Sequence, residues 1–383
     1  MTVQELDVEK AVTERYSQAS RKVEGALCCP RDYSGKYLEC IPKEVIERDY
    51  GCGNPENYLK SGERVLDLGS GTGKICFIAS QIVGPQGKVI GVDMNDDMLG
   101  LARNAAGKVA EQIGYANVEF KKGKIQDLRL DYDRVDRLIR ECPISDLETL
   151  NRFQRNAELI RKSEPMIPSD SIDAVVSNCV LNLVKTSDKK RLFQEIFRVL
   201  KKGGRAIISD IVADEAIPEK LKSDPELWSG CLSGAFQENE FIEQFIQEGF
   251  YGAAVVKRDQ LPWQIVDGIE FRSVTIVAYK GKEGECWDYN EALIYRGPFK
   301  SVTDDDGNIF RRGERTAVCR KTFDIYSKDP YHSDFYQLTP LTPVNSTEAQ
   351  PFSCEKKGMI RSPKDTKNGS KLHAQTTTSS GCC

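Results

Sequence analysis

Residues 61–280 predict an α/β fold with a doubly wound, mostly parallel sheet. Three observations carry that expectation. Strand-like and helix-like runs alternate along this stretch. A glycine-rich turn, VLDLGSGTG at 65–73, joins the first strand to the first helix, and an acid, Asp93, ends the second strand.

The elements follow in order. Residues 1–60 form a lead segment with helical spacing that carries Cys28, Cys29, Cys40 and Cys52. RVLDLG (64–69) is a strand and GKICFIASQIV (73–83) a helix, on which Cys76 reads as core. KVIGVD (88–93) is the next strand, and a helix runs from about Asn95 to Gly114. NVEFKKG (117–123) and IDAVVSN (172–178) are the third and fourth strands. Between them, 128–168 reads as an inserted helical hairpin capping the site. SDLE (145–148) suggests a capping box for its second helix, with Leu147, Leu150 and Phe153 on one face. KKRLFQEIFRVL (189–200) is an amphipathic helix stopped by Gly203 and Gly204, and RAIISDIVA (205–213) a fifth strand. YGAAVVKRD (251–259) and FRSVTIVAYK (271–280) close the sheet. Residues 281–340 change texture to short β-like runs with a hairpin turn at Asp306-Gly307, and 341–383 read as a disordered tail ending in Cys382-Cys383.

Composition narrows the function. With 54 Lys+Arg against 58 Asp+Glu the net charge is −4, which argues against nucleic acid as a partner. No apolar run reaches the roughly 18 residues of a membrane span, and MTVQELDVEK has no signal-peptide core. A soluble, cytoplasmic protein is expected. Thirteen cysteines in 383 residues, about 3%, fall well short of the roughly 8–10% of a secreted disulfide scaffold. In a reducing compartment they suggest metal, metalloid or redox chemistry. Zinc is the first candidate, yet no paired C-x-x-C motif is present. Only His332 and His373 occur, both late in the chain, so histidine is not the expected general base.

Gly69, Gly71 and Gly73 let a ligand approach the backbone at a helix N-terminus. A dinucleotide fingerprint would want glycine where Lys74 stands. Asp93 is placed to accept hydrogen bonds from ribose hydroxyls. Asp67, inside the first strand, would repel a pyrophosphate and favour a cation. S-adenosylmethionine, with its ammonium and sulfonium, fits this pattern better than NAD does; a nicotinamide cofactor stays as the alternative.

Ligands of such sheets sit beyond the carboxyl ends of the strands. Cys179 follows the fourth strand, Cys52 sits in DYGCGNP before the first, and Cys231 lies in ELWSGCLSGAF after the fifth. Three thiols could thus converge beside one cofactor; Cys142, Cys286 and Cys319 receive no role. Soft sulfur ligands select soft, thiophilic centres. Trivalent arsenic takes three sulfurs in a pyramid and keeps a lone pair on its open face, a nucleophile that needs no general base. Two other readings stand beside this one: methylation of an ordinary carbon, oxygen or nitrogen acceptor, and a metalloid sensor or scavenger without catalysis.

YGCG (50–53), VLDLGSGTG (65–73), GVDM (91–94), VVSNCVLNLV (175–184), RVLKKGG (198–204) with ISD (208–210), and WSGCLSGA (228–235) together resemble the arsenite S-adenosylmethionine methyltransferase family. The resemblance spans nearly the whole chain. It implies a Rossmann-like class I S-adenosylmethionine-dependent methyltransferase sheet with a helical insertion and a small β-rich C-terminal domain. It implies that Cys52, Cys179 and Cys231 hold arsenic(III), delivered as arsenite or its glutathione conjugate. An upstream redox cysteine, Cys28 or Cys29 with Cys40 as a third option, would form a disulfide reopened by glutathione or thioredoxin. Cofactor contacts carry over to Tyr50, Gly51, Asp67, Gly69, Gly71, Gly73, Asp93, Met94, Ile125 and Asn178. Two departures stand out: Gly230 precedes Cys231 where some members have an acid, and the 128–168 insertion is absent from shorter members.

Overall fold

The computed structural model describes residues 7–27, 33–355 and 357–367. Two compact units divide the chain, 1–280 and 281–383. No helix among the described residues is long and apolar enough to cross a membrane.

The first unit opens with helix α1 (Val8–Ala19) and the short helices α2 (Gly35–Leu38) and α3 (Lys43–Glu47). Strand β1 (Arg64–Leu68) leads into α4 (Lys74–Val83), and β2 (Lys88–Asp93) into α5 (Asp96–Ile113). After β3 (Val118–Lys122) come α6 (Tyr132–Glu141) and α7 (Leu147–Ser163), then β4 (Ile172–Asn178) and α8 (Thr186–Val199). The chain continues through β5 (Leu200–Ala213), α9 (Glu219–Lys222), α10 (Pro225–Ser229), β6 (Phe236–Gln237) and α11 (Glu238–Gln247). It ends in β7 (Tyr251–Arg258), β8 (Gln264–Val266) and β9 (Ile269–Tyr279).

The sheet order is β3-β2-β1-β4-β5-β9-β7, parallel from β3 to β5 and antiparallel at β9 and β7. Register places Leu66 beside Ile90 and Val175, and Val175 beside Ala206, so one apolar row crosses the sheet. These side chains pack under one helical layer, while Val65, Val89, Ala174, Val176 and Ile207 pack under the other. Strands buried on both faces explain why they read as continuous apolar runs. α5 begins where Asn95 accepts the Met98 N–H, with Asp96 and Asp97 in its positive first turn, and ends at Gly114 in the left-handed region.

Four expectations for the elements of this unit need correction. The strand expected at 205–213 starts at Leu200, because α8 ends at Val199, before the glycines; the ladder with β4 shifts register between Leu200 and Arg205. The capping box of α7 is built on Asp146 with Thr149, one residue later than expected, since Asp146 has the extended backbone of a cap. Its packed face is Leu150, Phe153, Ala157 and Ile160, and Leu147 is 72% exposed. The hairpin of α6 and α7 contributes no lining residue to the cavity below β4; α1 does so instead.

The second unit contains β10 (Trp287–Asp288), β11 (Ala292–Tyr295), β12 (Ser301–Thr303), β13 (Ile309–Arg311) and β14 (Arg315–Ala317). α12 (Arg320–Tyr326), β15 (Phe335–Leu338), β16 (Gln350–Pro351) and α13 (Pro363–Thr366) complete it. Sheet β14-β11-β15 packs Leu293, Tyr295, Phe310, Phe323, Tyr326 and Phe335 into a core, and β12-β13 is the hairpin with Gly307 at positive φ. Residues 341–367 are ordered here rather than forming a tail. β16 pairs with β10, Ala349 and Thr366 are buried, and buried Arg361 pairs with Asp288 at 2.6 Å. A polar composition hid these few anchoring contacts.

Candidate active site

At the carboxyl end of β4 the chain turns on Asn178. Its Oδ1 accepts the N–H groups of Cys52 and Gly53, both at 2.9 Å, and its Nδ2 donates to the Gly53 carbonyl at 2.9 Å. Ser273 of β9 donates to the Cys52 carbonyl at 2.6 Å. So close an approach needs glycine on both sides of the cysteine. A Cβ at Gly51 would lie 2.3 Å from Asn178 Nδ2, and one at Gly53 2.4 Å from the Ser209 side chain. Lys74, which replaces the dinucleotide glycine, is buried in an ion pair with Asp49 at 2.7 Å and fastens this loop to α4.

The three predicted thiols meet here, all buried in one cluster. The sulfurs of Cys52 and Cys179 and a carboxylate oxygen of Asp210 lie within 4.8 Å of one another. Cys231 joins through Cys179: its Sγ donates to the Cys179 carbonyl at 3.1 Å. The neighbouring Cys231 and Cys52 thiols, with burial, hold the Cys179 thiol well above its ordinary pKa. Cys179 and Cys231 have φ of 66° and 65°. The other non-glycine residues with positive φ among the described residues are Asp170, Asp267 and Asn290, types that tolerate this region. A cysteine there costs on the order of 1–3 kcal/mol, a strain that clusters at functional sites. Two residues outside the sequence-derived set also belong here. Asp210, which accepts from Leu181 and Ile211 N–H groups, is pushed up to about 6 by burial. Tyr16 of α1 places its hydroxyl 4.0 Å from Cys231 Sγ.

Beside the thiols lies a cavity whose lining includes Tyr50, Asp67, Gly69, Gly71, Asp93, Met94, Ile125, Asn178 and Cys179. Gly51 and Gly73 are not in the lining: Gly51 packs on Asn178, and Gly73 is the N-cap of α4, in the left-handed region. α1 adds Glu9 and Tyr16 to the wall, which the sequence gave no reason to place there. Asp67 is fully buried, accepts from the Cys76 thiol at 3.2 Å, and is pushed up to about 7 by burial, with Asp49, Asp93 and Glu56 adding to the effect. Cys76 is therefore core with a specific partner. Asp93 accepts N–H groups from Gly71 and Asn95, both at 2.8 Å. A carboxylate has about four acceptor sites, which leaves room for a hydroxyl. The buried Ser70 hydroxyl, also in the lining, has no partner among the described residues. A buried acid, a hydroxyl without a partner among the described residues and a spare carboxylate lone pair fit a nucleoside with a cationic tail. Cys28 and Cys29 lie outside the described residues, and Cys40 is half-buried near α2.

A parallel 3-2-1-4-5 sheet closed by an antiparallel pair, with this cavity at its switch point, defines an S-adenosylmethionine-dependent methyltransferase. A family described as "Methyltransferase domain" matches residues 59–167 and 153–249, and a domain of unknown function, DUF8838, matches 282–371. The chain is 34% identical to an arsenite methyltransferase of Aquipseudomonas alcaligenes over 80% of its own length and 83% of that protein. It is 29% identical to the arsenite methyltransferase of Mus musculus over 92% and 87%. The crystal structure of an arsenic(III) S-adenosylmethionine methyltransferase from Chlamydomonas reinhardtii superposes with a TM-score of 0.53. It has 27% identity and covers 83% of this chain and 98% of that one. The chain belongs to the arsenite methyltransferase family, and its methyl donor is S-adenosylmethionine.

Proposed function

We propose that this enzyme methylates arsenic(III) while Cys52, Cys179 and Cys231 hold it. The observation that carries the reading is the meeting of three thiols, remote in sequence and two of them on strained backbone, beside the cavity at the end of β4. As each As–S bond forms, a thiol proton leaves with an arsenite oxygen as water. Asp210, next to Cys52 and Cys179 and shifted toward neutrality, is the group placed to accept a thiol proton in passing. Three sulfurs would complete the pyramid and leave the arsenic lone pair free on the open face as the nucleophile.

Asp67, Asp93, Ser70 and Asn178 would hold the donor, which when bound supplies an electrophilic methyl group. Asp67 offers a counter-charge to its cationic end, and Asp93 its spare lone pair to a ribose hydroxyl. Asn178 fixes Cys52 so that the sulfur set keeps its geometry, the kind of orientation worth up to roughly 7–11 kcal/mol of barrier. Methylation raises arsenic formally to the pentavalent state. Its return to the trivalent state would take two electrons from two protein thiols, which close to a disulfide that glutathione or thioredoxin then reopens, with Cys28 or Cys29 as the upstream partner. The test is turnover with arsenite, glutathione and the methyl donor: Cys179→Ser should abolish S-adenosylhomocysteine formation. A Cys179→Ser chain that turns over at the parent rate refutes the reading in favour of an ordinary acceptor.

A further inference from the structure

We propose that Cys286, Cys319 and Cys354 form a second arsenic(III) site, in the C-terminal unit. Their sulfurs lie within 4.8 Å of one another although the residues are widely spaced in sequence. The fold builds this meeting. Cys286 immediately precedes β10 and Cys354 follows β16, and these strands pair antiparallel, Trp287 opposite Pro351. The Phe352 N–H donates to the Cys286 carbonyl at 2.8 Å and extends that pairing toward both sulfurs. Cys319 comes from a third direction, as the N-cap of α12, where its sulfur accepts the Thr322 N–H at 3.5 Å. Lys321 donates to the Gly284 carbonyl at 2.9 Å and lies against Cys286.

The donor set selects the occupant. Three sulfurs and no oxygen favour a soft centre. Structural zinc is closed and four-coordinate, whereas no fourth His, Cys, Asp or Glu joins this group among the described residues. Three thiolates are the full complement of trivalent arsenic, and with it they form a neutral unit. Cys319 is buried and Cys354 exposed, so the site opens to solvent and can exchange its ion. Loading breaks three S–H and three As–O bonds, forms three As–S bonds and releases three waters, with no change of oxidation state. The choice of arsenic rests on the reading of the first site as an arsenic centre; the geometry of the second cluster does not.

The experiment counts arsenic bound per full-length chain, kept reduced with a phosphine, after arsenite loading and desalting. The variant C52S/C179S/C231S should retain one tightly held arsenic, and sulfur-only coordination by three neighbours should appear in its X-ray absorption spectrum. Introducing C354S into that background should weaken retention at least about tenfold, since one of three linked donors is lost. Cys354 is exposed, so this change leaves the unit folded, which circular dichroism verifies. Unchanged retention on adding C354S, or tightly held zinc that arsenite does not displace, overturns the proposal. So does a disulfide within the trio that persists in the reductant. If the C52S/C179S/C231S chain binds as much arsenic as the parent, the first site fails while the second stands.

Discussion

The molecule carries two three-cysteine clusters, and they are built on opposite principles. Cys52, Cys179 and Cys231 are buried, two of them on left-handed backbone, and Asn178, Ser273 and Lys74 fasten the loop that bears the third. Cys286, Cys319 and Cys354 sit at a strand start, a helix cap and a strand end, partly open to water. The first cluster adjoins a cavity with a buried acid; in the second, no carboxylate joins the sulfurs among the described residues. Equal sulfur counts therefore do not imply equal chemistry. Capture needs donors, whereas transfer also needs donors held rigidly against a second substrate.

That contrast can be broken most directly at Cys179. Cys179→Ser should lower methylation at least about a hundredfold, read as S-adenosylhomocysteine formed, because positioning is lost along with a ligand. Gly51→Ala forces a Cβ onto the Asn178 amide. It should cut turnover about tenfold and destabilise the chain by about 1–3 kcal/mol, measured by urea unfolding. Asn178→Ala leaves the Cys52 and Gly53 N–H groups without their acceptor and should cost about 1–3 kcal/mol in the same assay, with weaker arsenite retention.

A smaller, graded effect is expected from pH. Asp67 is raised to about 7 in the folded chain by burial, whereas an exposed aspartate titrates near 3.9. A cationic donor binds the ionised form, so its affinity should rise by up to about tenfold between pH 6 and 8, followed by calorimetry, and Asp67→Asn should flatten the rise. Stability moves the other way. Between the two pKa values the folded state holds more protons than the unfolded one, so this residue's contribution falls as pH rises from about 4 to about 7. The smallest effect is expected at Cys142, which belongs to neither cluster and contacts Arg152 on the hairpin. Cys142→Ser should leave turnover and bound arsenic unchanged; a loss of either would blur the division drawn between the clusters.

Much of the first unit was legible because its physics is local. β2 and β4 were readable to the residue, since strands buried on both faces leave uninterrupted apolar runs. Cys52, Cys179 and Cys231 were legible from glycine-flanked or strand-end settings at the carboxyl edge of the sheet. Asp210 was hidden inside a strand that reads as apolar filler, and Tyr16 on a lead helix whose destination no periodicity encodes. The second cluster was illegible for a different reason. β10 and β16 have two residues each, too few for any alternation, and only their long-range pairing brings Cys286 to Cys354.

The Asn178 side chain has a further consequence. It lines the cavity and holds the Cys52 loop with its amide, so on the proposed reading donor and arsenic would both bear on this one side chain. If one substrate tightens that grip, the other would feel it, and thermodynamic linkage makes any such coupling mutual and equal in size. On that reading a single carboxamide would be the joint between the two halves of the reaction.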